Sequence, residues 1–230
     1  VVHGHTDEGA KRVGWQQDYL LRMIEDLNLF MSRIIKLRRE ARPEEALDLL
    51  VGETSRISGI PPTLVYALSD DDLIQTLTAR GALEPERCFA IGELFREEGL
   101  VCAELGQEDE ASARFSKATR LYTEALRHAT PEQDNITIDG LRETLDHLHA
   151  TWIDPRTLDL LLETLIERGA VDLADNVVFE LREQDDANDH VERAAGVYRA
   201  ILEHSDYTLS RAGIERSEIE ESLAALPVMN

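Results

Sequence analysis

The chain has 230 residues, with 46 acidic side chains against 24 basic ones and a formal net charge of −22. That acidity argues against a general binder of nucleic-acid phosphates, whose footprint is basic. An apolar fraction of 43 % is too high for a disordered acidic tail, and no apolar run approaches the roughly 18 residues of a membrane span.

Residues 1–13 are polar and glycine-rich and read as a flexible lead. From Gln16 to Arg39 apolar residues recur every three or four positions, among them Leu27, Phe30, Ile34 and Leu37, which predicts a long amphipathic helix. Pro43 suits the first turn of a second helix running to about Ile57. Ser58-Gly59-Ile60-Pro61-Pro62 breaks the chain, and Ser69-Asp70-Asp71-Asp72 caps a short helix that stops at Gly81. Pro85 opens a helix to about Leu105, and Gly106 turns it into another carrying Ala111, Phe115, Ala118 and Leu121. Apolar spacing lapses between His128 and Thr137, the best boundary between a region 14–129 and a region 130–230, which are expected to pack as one unit. Further helices follow around Leu141–Leu148, Leu158–Ile166, Leu173–Leu181, Val191–Leu202 and Ser217–Leu226. No segment reads as a sustained strand. The fold class is all-α, an irregular array of antiparallel helical hairpins.

The turns share a spacing. Gly106 precedes Ala111 by five residues, Phe115 by nine and Ala118 by twelve, and Gly169 stands in the same relation to Ala174, Val178 and Leu181. Asp189 repeats it with Ala194, Tyr198 and Ile201, and Ala41 repeats its first two steps with Ala46 and Leu50. On Phe95, Gly99, Ala111, Phe115 and Ala118, residues 92–126 resemble a tetratricopeptide repeat, departing from it at Glu98, Cys102 and Thr123. The missing proline at Thr123 implies a second helix that runs on toward His128. The two ends, Gln16 to Leu27 and Tyr198 to Leu223, are similar to a bacterial domain family of unknown function. That resemblance implies a fold and no activity, and leaves residues 59–126 as an addition to the family.

Two sets of residues are candidates for binding. In the repeat-like unit, Glu93, Arg96, Leu100 and Ala103 are expected on the exposed side of the first helix, where helical stacks bind protein partners. Residues 11–42 form the one basic region, with eight basic and four acidic side chains, and Arg33, Lys36, Arg38, Arg39 and Arg42 crowd its end. Cations there suit a helix C-terminus and can pair with acidic neighbours, with a second subunit or with an anionic ligand. His147 and His149 with Glu143 and Asp146 read as a solvated face, since no Glu-x-x-His occurs. His3 at the third position would suit Cu(II) or Ni(II) only with a free amine at Val1.

There is no phosphate loop, no Gly-x-Ser-x-Gly and no supported Cys-His pair. Cys88 and Cys102 read as thiols. The opening residues lack an apolar signal segment, so the expected location is the cytoplasm. The leading expectation is a non-enzymatic protein-interaction scaffold without cofactor or metal, bound to a protein and not to nucleic acid or membrane. The alternatives are a self-assembling homo-oligomer, for instance a homodimer, and a ligand or metal sensor.

Overall fold

The structure is a computed structural model that describes residues 25–78, 83–149, 152–184 and 188–226. The flexible lead, the N-terminal histidine and the first half of the long amphipathic helix lie outside these residues. Among the described residues there are twelve helices and no strand. Helix α1 covers 25–39. It is followed by α2 (Pro43–Ser58), α3 (Pro62–Val65), α4 (Asp70–Thr78), α5 (Pro85–Glu104), α6 (Glu108–His128) and α7 (Pro131–Leu145). The chain continues through α8 (Pro155–Glu167), α9 (Val171–Gln184), α10 (Asn188–Leu202), α11 (Asp206–Arg211) and α12 (Arg216–Ala224). No helix among the described residues is long and apolar enough to cross a membrane.

Local chemistry sets the ends of these helices. Pro43, Pro62, Pro85, Pro131 and Pro155 each open one, because a first-turn residue needs no N–H for the helix ladder. Asp154 accepts from the amides of Arg156 and Thr157, and Thr130 and Gln133 form a reciprocal capping box. The recurring turns are real at three of their four places. Gly106 and Gly169 both take φ +73°, and Ala41 takes φ +56° in the matching position after α1. Asp189 differs: it lies inside α10, which begins at Asn188, so its spacing marks no turn.

The antiparallel pair α5–α6 is the core of the N-terminal half, with α2 and α7 packed against it. Phe95, Gly99, Ala111, Phe115 and Ala118 are buried at their interface. Gly99 permits the close approach, since an added Cβ would lie 2.6 Å from the Phe115 ring. Helix α6 runs through the buried Thr123 to His128. Two residues connect it to α7, which packs back on α6. Helix α8 also touches α6, while α9, α10 and α12 pack in sequence beyond it, and one apolar cluster runs from Leu27 to Ile219.

Candidate functional site

The expected partner face on α5 is largely covered. Glu93 and Arg96 keep only 15 % and 14 % of their side-chain surface exposed, and Leu100 and Ala103 pack against the core. A repeat helix with one free face needs a neighbour on one side only, but α5 is flanked by α2, α6 and α7. Arg96 Nη2 donates to Glu93 Oε2 at 2.8 Å, and Arg96 Nη1 lies 2.8 Å from Glu143 of α7. The Tyr122 hydroxyl donates to Glu93 Oε1 at 2.6 Å. Gly140 of α7 closes over that pair, its position leaving only 2.8 Å between a built Cβ and Glu93 Oε1.

A second buried carboxylate escaped the sequence reading. Glu98 is fully buried and accepts from Thr54 Oγ1 at 2.7 Å, Tyr66 Oη at 3.0 Å and Arg114 Nε at 3.1 Å. Burial raises its pKa, and the Thr54 hydroxyl and the Arg114 charge only partly offset that. Arg114 also lies over the Tyr66 ring, 4.1 Å from its centroid. These groups tie α2, the segment after α3, α5 and α6 together.

The cationic set on α1 divides in two. Arg38 reaches α5, where Nη1 donates to Glu97 at 2.9 Å and Nε to Glu104 at 3.1 Å. Arg42 donates to Glu45 at 2.7 Å and to Glu40 at 3.2 Å, and its hydrogen bonds hold the Glu45 carboxyl below its ordinary pKa. Lys36 lies 3.8 Å from Glu40. These three are paired within the molecule. Arg33 and Arg39 are exposed and have no acceptor among the described residues. A surface cleft of about 410 Å³ lies between α1 and α2, with Arg33, Lys36 and Arg42 on its walls beside Glu40, Glu45 and Asp48. On α1, outside that lining, Leu29 is 73 % exposed and Ile35 41 %.

His147 and His149 make separate contacts. His147 stacks on Phe115 with ring centroids 5.4 Å apart, and His149 bonds Glu180 at 3.0 Å and meets Trp152 edge-on. Among the described residues no group of three His, Cys, Asp or Glu side chains could hold a metal ion. Cys88 and Cys102 are buried free thiols, and burial pushes Cys88 up to about 12.

No curated protein and no solved structure matches the chain. A family of unknown function, DUF6483, matches residues 14–229. The match runs through residues 59–126, so the middle of the chain is part of the family pattern and not an addition to it. The chain therefore belongs to the DUF6483 family of unknown function.

Proposed function

We propose that the protein is a non-enzymatic interaction module, a tetratricopeptide-like helical stack that docks an acidic segment of a partner protein on the end of α1. The observation that carries this reading is the pair Arg33 and Arg39, exposed and without an acceptor among the described residues, on a chain of net charge −22. An acidic partner is repelled by most of this surface and attracted here, which fixes where it lands. Leu29 and Ile35 add apolar area on the outward side of the same helix. Arg33 also stands on the wall of the cleft between α1 and α2. The α5 set serves packing in this reading, because Glu93 and Arg96 pair with each other and Arg96 with Glu143, while Leu100 and Ala103 pack against the core.

A photo-crosslinker placed at the exposed Ser32 tests the proposal in cells of the source. It should trap an acidic protein, and the double variant Arg33→Glu/Arg39→Glu should abolish the adduct. An unchanged adduct in that variant overturns the assignment. Self-association is the second reading, favoured by the exposed Glu108, Asp109 and Glu110 of α6, which offer a second copy an acidic face. Light scattering after size exclusion separates the two, since a monomer throughout the micromolar range removes self-association.

A further inference from the structure

A second cleft lies on the opposite half of the fold, with α7, the α8–α9 turn and α11 as its walls, and encloses about 540 Å³. That is within the range of small-ligand sites, roughly 300–1,000 Å³. Three guanidinium groups reach it from three separate elements: Arg142 of α7, Arg168 of the turn and Arg211 of α11. In so acidic a chain that convergence is unusual. Two of the three are held in place. Arg142 donates to Asp172 at 2.7 Å, and Arg168 donates to Asp134 at 3.2 Å and to the Arg127 carbonyl at 3.0 Å. Their charges are thereby largely matched. Arg211 is exposed and has no ion-pair or hydrogen-bond partner among the described residues, so it is the guanidinium of the cleft left open to a ligand.

Tyr207 stands at the same rim, one helical turn before Arg211, and 73 % of it is exposed. A large aromatic ring left in water beside a free guanidinium gives a flat apolar surface next to a bidentate anion donor. Asp139 on the α7 wall offers an acceptor facing the same space. We infer that this cleft binds a small acid: one planar ring bearing a single phosphate or carboxylate group. The anion pairs with Arg211, the ring lies on Tyr207, and a hydroxyl or amine of the ligand donates to Asp139. One anionic group is the number that the open donors accept, because Arg142 and Arg168 already donate to Asp172 and Asp134 and Arg211 alone has no acceptor among the described residues.

Isothermal titration of the whole chain tests this with adenosine monophosphate and 4-hydroxybenzoate as the two anion types. The neutral controls are adenosine and 4-hydroxybenzamide, and inorganic phosphate serves as the ringless anion. At least one ring acid should bind with Kd below about 1 mM, a loose bound for a small ligand held by one charge pair and one stack. Arg211→Ala and Tyr207→Ala should each weaken it at least tenfold. Both positions are exposed, so neither change should disturb folding. Arg33→Glu/Arg39→Glu should leave the titration unchanged, which keeps this cleft distinct from the α1 surface. The inference is overturned if neither ring acid binds, if either neutral control or inorganic phosphate binds as tightly as the ring acids, or if Arg211→Ala binds like the wild type.

Discussion

Replacing Gly99 by alanine should destabilise the protein, although alanine is the better helix former. Alanine at a mid-helix glycine ordinarily gains roughly 0.5–1 kcal/mol. Here the new Cβ would sit 2.6, 2.8 and 2.9 Å from Cε1, Cδ1 and Cζ of Phe115. Those atoms belong to a ring that is itself buried and stacked on His147, so it cannot swing aside as a flexible side chain would. Forcing a methyl into a packed interface costs about 1–3 kcal/mol, and the net loss should be about 1–2 kcal/mol. Gly52 of α2 provides the opposite sign, because nothing lies within 4 Å of its built Cβ and Gly52→Ala should stabilise. Urea unfolding followed by circular dichroism measures both. In a Phe115→Leu background the Gly99→Ala penalty should shrink by about 1 kcal/mol, the coupling expected of residues in contact. If Gly99→Ala is as stable as the wild type, α5 and α6 do not cross at this point and the core pairing is wrong.

Ala41→Gly should raise stability by about 1 kcal/mol, since a left-handed φ of +56° strains any residue with a Cβ; the urea midpoint reads it directly. Glu98 binds its proton more tightly folded than unfolded, so its contribution is full below the ordinary carboxylate pKa and is lost as pH rises through the raised folded value. The stability of Glu98→Gln relative to wild type should therefore improve as pH climbs, and a constant difference across urea titrations from about pH 5 to pH 8 would refute this. Cys88, buried and pushed up to about 12, should resist Ellman's reagent in the native protein and react on denaturation; prompt native labelling at Cys88 would refute its burial.

Much of the architecture is legible in residues with a strong local meaning. The prolines mark helix starts, and the shared spacing after Ala41, Gly106 and Gly169 marks turns that use one backbone conformation. Helix α7 was obscured because part of its buried face is threonine. Thr137 and Thr144 are buried, and their hydroxyls donate to the carbonyls of Gln133 and Gly140 four residues back. A hydroxyl satisfied in this way packs as an apolar group while scoring as polar, so the periodicity lapses where the helix continues. The covering of α5 is hidden for a related reason. Glu93, Arg96 and Glu97 have the spacing of a solvated face, and their partners come from α1, α6 and α7, far away in the chain. A signal was present in Cys88 to Phe95, where Glu93 is the only charged residue among apolar ones and glycine, the mark of a helix enclosed on several sides.

The carboxylates of α5 also explain how so acidic a chain fixes one arrangement of many similar helices. Apolar ridges alone allow one helix to slide past another with little change in buried area. Three acids on α5 remove that freedom against three neighbouring helices: Glu97 against Arg38 of α1, Glu98 against Thr54 of α2 and Arg114 of α6, and Glu93 against Tyr122 of α6. A shift by one turn would leave Glu98 fully buried without its three donors, and an uncompensated buried charge costs about 3–5 kcal/mol. Such a penalty is comparable with the whole stability of a domain, which is roughly 5–15 kcal/mol. The interior charges therefore work by excluding alternative registers, whether or not each pair adds net stability. Arg33 and Arg39 fall outside that network, and the register of α1 leaves them to the surface.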